Sequence, residues 1–121
     1  MSDPYLLVYC TCPNHETGRR IAALLVDAHH AACVNVLPGV TAFYHWKGRL
    51  QQDEETLLMI KTTRAAYPGV QALISQHHPY ELPEIIAVPI QAGLRGYLDW
   101  LDQCTAKPVS AQEASSQEES S

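Results

Sequence analysis

The side chains best suited to chemistry are concentrated between an amphipathic pattern and an apolar run. They read His77-His78-Pro79-Tyr80-Glu81-Leu82-Pro83-Glu84: two imidazoles, a phenol and two carboxylates in one short connection. Imidazoles and carboxylates exchange protons near neutrality or ligate metal ions. Val70, Leu73, Ile74 and His77 fall at helical spacing, so a helix ending here carries His77 on its apolar face. Pro79 disfavours the helical conformation for His78 and stops the helix at this pair. Adjacent helical residues point in different directions, so the two rings cannot chelate one ion together, and one histidine at most faces any site. The plainer reading is a helix C-terminus, where imidazoles meet unsatisfied carbonyls. His29-His30 closes an earlier helical pattern in the same way.

The chain also carries four thiols, Cys10, Cys12, Cys33 and Cys104. Their spacing fits neither a zinc ribbon nor a secreted disulfide framework, and Cys10-Thr11-Cys12 is one residue short of a redox C-x-x-C. Free thiols in a reducing cytoplasm are the simplest account. The start, Met1-Ser2-Asp3-Pro4, shows no signal-peptide pattern, and no apolar run approaches membrane-spanning length. A chain of 121 residues, 46% hydrophobic and 17% charged, suits one domain with a real core. Of the net charge of -5, the stretch from Ala106 onward holds -2, leaving -3 for the rest. No basic patch emerges, which argues against a nucleic-acid module held by phosphate contacts. The Ser/Glu-rich stretch has almost no bulky apolar side chain to bury. The domain is therefore expected over 1–105 and a disordered tail over 106–121.

Several elements must position these residues. Tyr5 to Cys12 reads as a strand with Leu6, Val8, Cys10 and Cys12 on one side. Pro13 closes it, and Asn14 caps a helix patterned by Ile21, Leu24, Leu25 and Ala28. Residues 31–50 alternate as extended chain with a bulge or bend at Pro38-Gly39, and Lys47-Gly48 is a two-residue hairpin turn. Leu57 to Thr63 is the return strand. A second helix follows over 67–77, then a fourth strand over 84–90, and Leu94, Tyr97, Leu98 and Leu101 pattern a short third helix. The order β-α-β-β-α-β with an added C-terminal helix is an α+β, ferredoxin-like sandwich with helices on one face of an antiparallel sheet. A hairpin paired up to Trp46 has arms far longer than the usual five or six residues. Its overhang exposes backbone together with Phe43, Tyr44 and Trp46, which another copy of the chain would cover. A closed homo-oligomer is expected.

Five stretches together resemble the CutA divalent-cation tolerance protein family. They are Ala31-Ala32-Cys33-Val34-Asn35-Val36-Leu37-Pro38-Gly39-Val40, the Tyr44-x-Trp46-x-Gly48 tip, Ile60-Lys61-Thr62, His78-Pro79-Tyr80-Glu81-x-Pro83-Glu84-Ile85-Ile86 and Tyr97-Leu98-x-Trp100-Leu101. The resemblance covers about Tyr5 to Thr105. It implies a cytoplasmic homotrimer of ferredoxin-like subunits, associated with tolerance to copper and other divalent cations such as zinc, and without catalytic activity. The ligand set it implies is Cys10, His77 and Glu84: a thiol, an imidazole and a carboxylate suited to copper or zinc. Residue by residue, other readings stay open. Cys10 fits a core side chain, His77 a helix end, and Glu84 a partner for Lys61. Trp46, Lys61, Tyr80 and Trp100 are expected at an inter-subunit cleft, either as packing or as the lining of a ligand pocket.

Three function classes follow. The first is a copper-binding tolerance trimer. The second is a signalling or scaffold trimer like the PII proteins, binding a small ligand or partner protein, with metal incidental. The third, an enzyme using Cys10 with a histidine, lacks any nucleophile elbow, phosphate loop or HExxH and is not expected.

Overall fold

Strict alternation along Tyr5–Cys12 (β1) sends Leu6, Val8, Cys10 and Cys12 to one side, and the computed structural model, which describes residues 3–106, places this strand inside a four-stranded sheet. After it come α1 (His15–Asp27), β2 (Cys33–Trp46), β3 (Arg49–Thr63), α2 (Tyr67–His77), β4 (Ile86–Pro89) and α3 (Arg95–Thr105). The sheet order is β2-β3-β1-β4 with every neighbouring pair antiparallel, the ferredoxin-like arrangement. The tail expected over 106–121 lies outside the described residues from Lys107 onward.

Local chemistry fixes the joints. The Asn14 side chain accepts from the Thr17 N–H at 2.8 Å and caps α1. At the other end the His30 N–H bonds the Leu25 carbonyl and the His29 N–H bonds the Val26 carbonyl, with His29 at φ 62°. This is a Schellman closure with histidine in the left-handed position that glycine usually takes. The His29 ring then donates from Nδ1 to the Cys104 carbonyl at 3.1 Å. The first histidine pair is therefore a helix terminus.

The hairpin turn has both central residues at positive φ, Lys47 at 53° and Gly48 at 76°, as a two-residue turn between right-twisted strands requires. The arms pair from Cys33↔Lys61 to Trp46↔Arg49, broken by a register shift between Leu37 and Val40 where Gly39 has φ 82°. The return strand therefore starts at Arg49, eight residues before the apolar run at Leu57. β1 pairs only with Thr56–Thr63 of β3, so Arg49–Glu55 and their partners project beyond the sheet. The fourth strand is shorter than the expected 84–90, because Ile85 turns into the core.

The main core lies between the sheet and α1 with α2. It contains Leu6, Val8, Cys10, Cys12, Ile21, Leu25, Leu58, Ile60, Val70 and Ile74. Gly18 lets α1 approach β3 closely, since a Cβ there would sit 3.1 Å from Thr56 Cγ2. On the opposite face α3 covers only the end near Tyr5, where Tyr5, Ala32, Leu98 and Leu101 form a second cluster. The helices are thus split, two on one face and the third on the other. Ile86 and Val88, which pair with Tyr9 and Leu7 on that second face, remain 54% and 40% exposed.

Candidate metal centre

The two sulfurs of Cys10 and Cys12 share a face because side chains two apart on a strand point the same way. Both residues are wholly buried. His78 reaches them from the end of α2. As the residue before Pro79 it is extended, at φ -76° and ψ 138°, so its side chain departs from the helical path that His77 still follows. Its burial is nearly complete, at 7% exposure. The ligand atoms of Cys10, Cys12 and His78 all lie within 4.8 Å of one another.

Hydrogen bonds fix the imidazole tautomer. Nε2 lies 2.7 Å from the Thr11 carbonyl, which can only accept, so Nε2 carries the proton. Nδ1 then accepts from the Tyr80 N–H at 3.1 Å. The Tyr80 ring packs on His78 with centroids 4.8 Å apart, and its hydroxyl donates to Glu55 at 3.3 Å. Burial and the Glu55 carboxylate push the Tyr80 phenol up to about 12.

The two thiols are unequal. Hydrogen bonding with Cys12, then burial and the charges of Glu84 and Glu55, holds Cys10 protonated well above the ordinary thiol range. Cys12 is drawn down, chiefly by receiving that bond and further by Arg20, against the opposing effect of burial.

The residues singled out by sequence fall into four places. Cys10 is in the buried cluster. His77 is the half-buried last residue of α2, and it is not a member of the cluster. Glu84 is exposed and lines a groove of about 810 Å³ with Thr11, Trp46, Glu55, Tyr80 and Glu81. Trp46 and Tyr80 therefore share the groove with Glu84. Lys61 and Trp100 lie elsewhere, joined through Tyr97: the Lys61 ammonium is 5.9 Å from that ring's centroid, and the Trp100 ring is 5.4 Å away. Among the described residues the only ion pair is Arg95 with Asp99, so Lys61 and Glu84 do not pair within the chain.

Sequence reasoning passed over Cys12 and His78. The signals were present: Cys12 shares the alternation of Cys10, and the residue before a proline is the one free to turn inward.

Two thiols and an imidazole, gathered in a core, are a donor set suited to a soft or borderline metal ion. A model of the CutA1 divalent ion tolerance protein family matches residues 6–104. The divalent-cation tolerance protein CutA of Thermus thermophilus is 46% identical over 99 residues, 82% of this chain and 96% of that protein. The chloroplastic protein CutA 1 of rice is 41% identical over 84% of this chain, which spans only 58% of that relative's length. A solved structure of the Thermus thermophilus divalent cation tolerance protein superposes with a TM-score of 0.82 at 45% identity, covering 84% of this chain and 99% of that one.

Proposed function

The chain belongs to the CutA1 divalent ion tolerance family, and from that premise we propose that it is a cytoplasmic homotrimer that contributes to metal tolerance by binding copper, or another divalent cation such as zinc. The observation that carries this reading is the convergence of a second thiol and an imidazole on Cys10. The same burial argues against catalysis: a thiol and an imidazole sealed in the core offer no approach to a substrate carbonyl. Free cysteines favour the reducing compartment. The trimer is supported by the projecting hairpin, where Phe43 and Trp46 are 62% and 61% exposed, and by the uncovered sheet face at Ile86 and Val88.

The test is a metal titration of the purified full chain, read by isothermal calorimetry, with and without Cys10→Ala. Stoichiometric copper binding lost in the variant supports the reading. Equal binding in both chains places the metal elsewhere.

One observation favours the second reading, a PII-like signalling or scaffold trimer. Both ring nitrogens of His78 already have partners, as a settled core histidine would. On that reading copper leaves the melting temperature unchanged, and a small ligand in the groove between Trp46 and Tyr80 raises it.

A further inference from the structure

Resting on the metal-binding reading above, we propose that Cys10, Cys12 and His78 form a closed, three-coordinate site for monovalent copper, in which Cys12 is a full ligand and neither His77 nor Glu84 takes part.

The geometry needs little change. Two metal–sulfur bonds of about 2.3 Å meeting at a trigonal centre hold their sulfurs about 4 Å apart. The three ligand atoms already lie within 4.8 Å of one another, so a shift of the order of one ångström closes them on an ion. Both cysteines sit on β1, where they pair with Leu58 and Thr56 of β3, which keeps the sulfurs together. The donor set then selects the ion. Thiolates favour monovalent copper and zinc over hard cations, while zinc in protein sites takes four ligands. Among the described residues this cluster supplies three, all buried, and its surroundings are the apolar side chains of the main core. A closed trigonal set of two sulfurs and one nitrogen therefore suits the monovalent ion. Glu84 is exposed, and His77 stays on the helix end.

Binding balances without electron transfer when copper arrives as Cu(I). Two Cu–S bonds and one Cu–N bond form, and the Cys10 and Cys12 protons leave to solvent. The resulting site carries one unit of negative charge. His78 must exchange one of its present partners. If Nδ1 ligates, the Nε2–H bond to Thr11 stays and orients the ring as a carbonyl commonly does for metal-bound imidazoles. If Nε2 ligates, the proton moves to Nδ1. Either way the Tyr80 amide loses its acceptor, so metal loading is reported at Tyr80.

The experiment is an anaerobic Cu(I) titration of the full chain against a chromogenic Cu(I) chelator, with ultraviolet thiolate-to-copper absorption and the Tyr80 amide resonance as further readouts. One Cu(I) per chain is expected, with a shifted Tyr80 amide. Affinity should fall more than tenfold, roughly, in Cys12→Ser, Cys12→Ala and His78→Gln, and stay unchanged in His77→Ala, Glu84→Gln and Cys33→Ala. Two substitutions at Cys12, one near-isosteric, separate loss of a ligand from loss of the fold, which circular dichroism checks. Full affinity in a folded Cys12 variant overturns the proposal, as does tighter binding of zinc than of Cu(I). Copper held through His77 and Glu84 would overturn it while leaving the metal-binding reading intact. Failure to bind copper in either oxidation state, and zinc as well, removes both.

Discussion

His77 and His78 are chemically identical neighbours that the backbone separates. The His78 ring bridges the Thr11 carbonyl and the Tyr80 amide from within the core, so deleting it leaves two main-chain groups short of partners. His78→Ala should cost about 2–4 kcal/mol by urea denaturation, and His77→Ala under about 1 kcal/mol. Equal effects would mean that the two rings are equivalent after all. Tyr80 gives a pH signature. Its phenol is raised from 10.0 to about 12 in the fold, chiefly by burial, so the unfolded chain loses that proton first. The stabilisation is complete below pH 10 and is lost as pH climbs toward 12. Because Tyr80 is 40% exposed the effect is modest, and it is read as a difference. Between pH 9.5 and about 11.5, Tyr80→Phe should lose less stability than the parent chain. Parallel curves would show that the phenol is not desolvated.

Among the elements, the hairpin is the least supported. Beyond the sheet its outer half is held by ladder bonds between two strands and by a few side-chain bonds, Thr41 to Glu54, Tyr44 to Asp53 and Tyr80 to Glu55, and its turn forces Lys47 to φ 53°. A lysine Cβ resists that region, whereas asparagine tolerates it and makes the Asn-Gly pair such turns favour. Lys47→Asn gives up the weak contact of the ammonium over Trp46, at 5.8 Å, and should still gain about 0.5 kcal/mol. A lower melting temperature in the variant would show that the cation–π contact outweighs the backbone strain. The turn and the bulge at Pro38-Gly39 were both legible, because each depends on residues adjacent in sequence. The start of β3 at Arg49 was not. Gln51 to Glu55 are polar on both faces, and only pairing with β2 makes them a strand.

At the scale of the whole molecule, the sheet has one finished face and one unfinished one. α1 and α2 seal the first, while α3 leaves Ile86 and Val88 open beside the projecting aromatic hairpin. Single exposed apolar residues need no explanation, but a contiguous face joined to an unpaired ribbon does. Ile86→Lys and Val88→Lys together should convert a trimer to monomers in light scattering behind size exclusion, with far-ultraviolet circular dichroism retained. A trimer that survives both charges would place the subunit contact elsewhere.

Much of this protein follows from its sequence alone. Alternation in β1, helical spacing in α1, α2 and α3, the Asn14 cap and the Lys47-Gly48 turn are local, so the order of elements and the ferredoxin-like plan could be read directly. The motifs carried the family with it. The membership of the candidate ligand cluster was decided only in three dimensions. Cys12 and His78 are 66 positions apart in the chain, and the direction of an imidazole at a helix end turns on a single backbone angle before Pro79. Periodicity extended through that residue puts His77 on the apolar face. The fold breaks the period there and turns His78 inward, to the two sulfurs and the Thr11 carbonyl.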